Sequence, residues 1–172
     1  GGGSSPPQGV PPTEGGEPIF TMSASFHLRD QDGIEHQDRM PRVVDPEEIP
    51  VPSVDDLDEV HRVFVDEWAQ WDIRFVPRDG MPTSSALAAQ QRVWFRCVDT
   101  LPDDANFHVC TLAYMSDMTL LGSAKIPHPD EPTQDASLDH AMWFMRPFRA
   151  DDWLLYDQTS PSASGGRALT QG

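Results

Sequence analysis

Asp117 closes the stretch Ala113-Tyr-Met-Ser-Asp117 and lies in a run, residues 105–121, that is apolar nearly all round: Phe107, Val109, Cys110, Leu112, Tyr114, Met115, Met118 and Leu120. A carboxylate among such neighbours loses hydration unless it is hydrogen-bonded. Burial also favours the neutral acid, the tuning that a general base near neutral pH requires. The plainer reading of Asp117 is a cap or a surface residue. Asp139 and His140 suggest a dyad, but adjacent strand residues face opposite ways, so they are not expected to pair. His140 reads instead as a structural hydrogen-bonding residue. Ser162-Ala-Ser-Gly-Gly166 lacks the Gly-x-Ser-x-Gly order and the following helix of a nucleophile elbow, and reads as a turn. Cys97 and Cys110 lie in apolar segments outside any nucleophile motif, and the six histidines show no metal-ligand spacing with them. No metal and no cofactor is expected.

Positioning these groups takes strands and helices that the pattern supplies. Residues 71–76 and 90–98 read as strands. In the second, Val93, Phe95 and Cys97 share one face and Arg92, Trp94 and Arg96 the other. Asp103 and Asp104 are placed to start the helix over 105–121, and a helix without a polar side is predicted to be buried. Further strands are predicted at 136–146, at 152–159, and from Arg167 to a cut-short end. Ser53, with Asp55 and Asp56 behind it, opens an amphipathic surface helix carrying Leu57, Val60, Phe64 and Trp68. Residues 17–26 read as a lone strand whose partners belong elsewhere, after a Gly/Pro/Ser-rich loop over 1–16. Pro41, Pro46, Pro50 and Pro52 mark a linker. One buried helix among several strands gives the α+β class, a sheet wrapped around a central helix.

At 172 residues with 38% hydrophobic content and five tryptophans, the chain has material for one domain with a real core. A formal net charge of −16 argues against a nucleic-acid partner. It does not exclude an anionic ligand, because exposed charges farther away than about 8 Å are screened. Arg92, Arg96, Arg146, Arg149 and Arg167 are the candidates for a local cationic group. No apolar run approaches the ~20 residues of a membrane span, and the opening does not read as a signal peptide. Two unpaired cysteines fit a reducing, cytoplasmic setting. The chain starts without Met and stops at Thr170-Gln171-Gly172, so it is expected to be a piece of a longer protein.

Three stretches carry a family resemblance. They are residues 18–26, followed by Glu35-His36-Gln37 and Met40-Pro41; Ala113-Tyr-Met-Ser-Asp117; and the run holding Ser137-Leu-Asp-His-Ala-Met-Trp-Phe144, residues 146–156 and residues 160–167. From about Glu17 onward the chain resembles the C-terminal half of the type II acyl-CoA thioesterases. The resemblance implies a hotdog fold, an antiparallel sheet around a central helix, as part of a double hotdog. Residues 1–28 would then be a loop and the last strand of a truncated first domain, 29–52 a linker, and 53–172 a second hotdog lacking its final strand. It also implies hydrolysis of acyl-CoA to fatty acid and CoA by a water held among a carboxylate, a hydroxyl and a Gln amide. The first maps to Asp117 and the second to Ser137, which orients the water without forming an acyl-enzyme; the Gln is expected on a strand beyond Gly172. Gln158 and Gln171 stand in other motif contexts. Met145 departs from the His that many relatives carry, at a position expected to serve packing or to line the pocket. Homo-oligomers through hotdog sheet pairing are expected. The alternatives are a non-catalytic acyl-binding or interaction module, and a hotdog enoyl-thioester hydratase. For the latter, the only histidine on the helix, His108, stands nine positions before Asp117 and fits no hydratase motif.

Overall fold

The computed structural model describes residues 13–14, 17–27, 33–51, 68–78 and 89–172. The chain divides into two units, Gly1–Met40 and Pro41–Gly172. In the first, β1 (Thr13–Glu14) and β2 (Glu17–Pro18) form a short antiparallel ladder, part of it in the stretch expected to be loop. The strand expected over 17–26 stops at Pro18. Residues 19–27 join no ladder among the described residues, and Ile19, Phe20, Met22 and Phe26 are exposed. Alternation gives a strand its two faces but not a neighbour, and pairing is what holds a strand.

The second unit is built on a four-stranded antiparallel sheet of β3 (Trp71–Phe75), β4 (Gln90–Cys97), β5 (Leu154–Ser164) and β6 (Arg167–Gln171), adjacent in that order. β5 and β6 are joined by Gly165 and Gly166, with φ of 61° and 72°, so the turn expected over 162–166 is a two-residue hairpin turn needing a left-handed backbone twice. The ladder slips between Thr159 and Ser162, where Pro161 has no N–H to donate. In β4 the expected alternation is present: Val93, Phe95 and Cys97 are buried on one face. Trp94 is buried too, on the other face, with Ile49 and Val76 and with Val43, Trp153 and Leu155 packed around them.

Cover for that second face comes from residues 41–51. Asp45 caps a 3-10 turn, Pro46–Glu48, by accepting from the Glu47 N–H at 2.9 Å. The Trp94 indole donates to the Val44 carbonyl at 3.0 Å, and Arg74 donates to that of Ile49 at 2.8 Å. From Pro41 onward, the stretch read as linker is a strap belonging to the same unit as the sheet.

On the opposite face lies α1 (Ala105–Leu120), capped by the Asp104 carboxylate, which accepts from the Asn106 N–H at 2.9 Å. α2 (Gly122–Lys125) follows, and a Cβ on Gly122 would come within 3.2 Å of the Gln91 amide. The long helix is not buried all round, as expected, but on one side. His108, Met115, Ser116 and Thr119 are covered, while Phe107 and Tyr114 remain about half exposed. A single sheet can cover only one side of a cylinder, and this one presents polar groups that select the polar stripe. A second correction concerns residues 136–146. They join no ladder and run as an irregular segment with Leu138, Trp143 and Met145 exposed. The surface helix expected from Ser53 falls, through residue 67, outside the described residues.

Candidate active site

The sheet fixes the rotation of α1 through hydrogen bonds. The Tyr156 hydroxyl donates to the Ser116 carbonyl at 3.1 Å. Gln158, fully buried, donates to Thr119 Oγ1 at 2.6 Å and accepts from Gln91 at 2.5 Å, while Gln91 also donates to the Thr119 carbonyl at 2.8 Å. At the other end, His108 Nδ1 accepts from the Ala150 N–H at 3.1 Å, which leaves its proton on a buried Nε2. With Thr119 clasped by the sheet and Ser116 buried, Asp117 sits about 100° from Ser116 round the helix and faces outward.

That rotation overturns the expectation of a carboxylate held in an apolar interior: the Asp117 side chain is 57% exposed. Ser137, the other residue singled out by the resemblance, lies beside it. Ser137 donates to Asp117 Oδ1 at 2.7 Å, across twenty residues of sequence. The irregular path of residues 136–146 makes this contact possible, because a strand would have tied their backbone to a neighbouring ladder.

The same segment brings His140 to the carboxylate. Its Nε2 lies 2.8 Å from the buried Ser116 hydroxyl and its Nδ1 lies 4.0 Å from Asp117 Oδ1. His140 therefore does have the structural hydrogen bond read for it, and it also flanks the carboxylate. Sequence reasoning missed this second contact, because a predicted strand assigns faces by alternation and an irregular segment does not. Tyr156 completes the surroundings. Its hydroxyl pKa is pushed up to about 12, first by burial and then by the charge of Asp117, so the phenol is a neutral donor near the site.

Three of the five candidate arginines are paired with carboxylates. Arg92 is paired with Asp157 at 3.1 Å. Arg96 reaches Asp72 at 3.3 Å and lies over the Trp153 ring at 4.3 Å. Arg149 holds Asp151 at 2.9 Å and Asp103 at 3.1 Å. The glutamines are placed as well. Gln158 serves as a clamp on Thr119, and Gln171, opposite Thr159 in the ladder, lies on the sheet face away from Gln158. Among the described residues no group of three or more His, Cys, Asp or Glu is arranged to hold a metal ion, and no helix is long and apolar enough to cross a membrane.

Comparison with known proteins gives a consistent picture. Residues 64–172 match the sequence model of a family described as acyl-CoA thioesterase. Acyl-coenzyme A thioesterase 8 of Mus musculus is 35% identical, over 91% of this chain and 54% of its own length. Acyl-CoA thioesterase 2 of Haemophilus influenzae is 33% identical, over 90% of this chain and 57% of its own. The crystal structure of an acyl-CoA thioesterase II, TesB2, from Mycobacterium marinum superposes with a TM-score of 0.70 at 54% identity, covering 81% of this chain and 50% of that one. The chain thus spans about half the length of the curated relatives it matches.

Proposed function

Because the chain belongs to the acyl-CoA thioesterase family and has that family's hotdog architecture of antiparallel sheet and long helix, we propose that the intact protein hydrolyses acyl-CoA to a free fatty acid and CoA. The carrying observation is the Ser137–Asp117 hydrogen bond at 2.7 Å. It joins the two side chains that the resemblance assigns to the attacking water, from segments that have no local reason to meet.

In this reading Asp117 is the general base. Exposure suits it, since both water and a thioester must reach the carboxylate. Ser137 donates a hydrogen bond to Asp117, and its assigned part is to orient the water through its oxygen rather than to attack. The amide of the set is assigned to a strand beyond β6, since Gln158 is occupied and Gln171 faces away. Sheet pairing between copies is the expected route to a homo-oligomer. The free Cys97 and Cys110 support a reducing compartment such as the cytoplasm.

The test is to incubate the intact protein with palmitoyl-CoA and follow free thiol. Catalytic thiol release, with no acyl group on Ser137 in quenched samples by mass spectrometry, is the expected result. Binding without thiol release would favour an acyl-binding module, and hydration of an enoyl-CoA without thiol release would favour a hydratase. An acyl-Ser137 adduct would replace the water mechanism with a covalent one.

A further inference from the structure

We propose that His140 is a second acceptor for the attacking water, sharing it with Asp117; the inference rests on the thioesterase reading above. The argument begins at Ser116, whose hydroxyl has a single proton and three neighbours. These are the Ala113 carbonyl at 2.7 Å, His140 Nε2 at 2.8 Å and Met142 Sδ at 3.3 Å. A serine within a helix gives its proton to a carbonyl one turn back, and thioether sulfur is a weak acceptor. The Ser116 proton therefore goes to Ala113, and its oxygen accepts from His140. That places the proton of the neutral imidazole on Nε2 and leaves a lone pair on Nδ1.

The Nδ1 lone pair lies 4.0 Å from Asp117 Oδ1, which is itself an acceptor. Two acceptors at that separation are too far apart to touch, but one water can donate a hydrogen to each at about 2.8 Å. A water so placed has both hydrogens turned to the protein, one to Asp117 and one to Nδ1 in place of the Ser137 oxygen, whose part is then to hold the Asp117 carboxylate. Its oxygen lone pairs are turned outward, the orientation needed to attack a carbonyl carbon. Ser116, only 4% exposed, anchors the ring so that this geometry is set before substrate arrives. In the reaction, one hydrogen passes to Asp117 as the oxygen bonds to the thioester carbon. The other stays on that oxygen, held by Nδ1. Collapse of the adduct breaks the carbon–sulfur bond, the electron pair leaves on sulfur, and the thiolate takes the proton from Asp117.

Two variants of the intact protein separate this role from a structural one. His140→Gln keeps a donor toward Ser116 but has no acceptor near Asp117. His140→Asn loses the Ser116 contact but can present a carbonyl oxygen near the Nδ1 position. With palmitoyl-CoA, His140→Gln is expected to lose about 100-fold in kcat with KM within about threefold of the parent, and His140→Asn to stay within about tenfold of the parent kcat. Parental kcat in His140→Gln would overturn the proposal. So would equal losses in both variants accompanied by equal falls in melting temperature, which mark a purely structural residue. Asp117→Asn, measured alongside, tells the two levels apart. If it is inactive while His140→Gln is fully active, only the role of His140 falls; if it is fully active, the reading of Asp117 falls with it.

Discussion

At the scale of single residues, the site is a set of short polar contacts whose partners are distant in sequence. Asp117 is bonded to Ser137 and flanked by His140, which the buried hydroxyl of its neighbour Ser116 anchors. The chemistry of Asp117 was legible in its residue type and its setting in Ala113-Tyr-Met-Ser-Asp117. Its exposure was not, because an almost uniformly apolar helix gives no sign of which side will be covered. Asp151 is held at about 2, below its usual 3.8, first by the Arg149 hydrogen bonds and then by the Leu101 N–H. A carboxyl whose pKa is lowered by folding stabilises the folded state above the unfolded value and loses that contribution as pH falls toward the folded one. The stability from this group is therefore lost between about pH 4 and pH 2. Asp151→Asn is expected to lose that part of the pH dependence, read as urea midpoints that fall less steeply than the parent's over this range. A parallel fall in both proteins would contradict the assignment.

At the scale of elements, patterns that depend on near neighbours were readable and those that depend on distant partners were not. The alternation of Val93, Phe95 and Cys97, the Asp104 cap and the Gly165-Gly166 turn are local, and each stands where expected. Residues 136–146, also read as a strand, join no ladder. Their backbone instead follows the path that carries Ser137 and His140 to α1. The burial of Gln158 and Gln91 was also hidden, since nothing in a strand pattern reports that its inward glutamines will clasp a helix threonine. The turn invites a direct test. Gly166 has φ of 72°, where a side chain costs about 1–2 kcal/mol. Gly166→Val is expected to lower stability by about that amount in denaturant titration. An unchanged midpoint would mean that the hairpin backbone is not as described.

At the scale of the whole molecule, one sheet is covered on both faces, by a helix on one side and by a strap over residues 41–51 on the other. The fold class was accessible from the order of elements, and the family from extended runs such as Ser137-Leu-Asp-His-Ala-Met-Trp-Phe144. The strap was not, because its prolines read as a spacer and its contacts, Trp94 to Val44 and Arg74 to Ile49, span 50 and 25 residues. The functional reading comes down to whether the carboxylate bonded to Ser137 removes a proton from water. Asp117→Asn keeps the shape and an oxygen for the Ser137 hydrogen bond while removing the basicity. In the intact protein with saturating palmitoyl-CoA, thiol release is expected to fall by about 10²–10⁴-fold with folding unchanged. Thiol release at the parental rate from Asp117→Asn would contradict it.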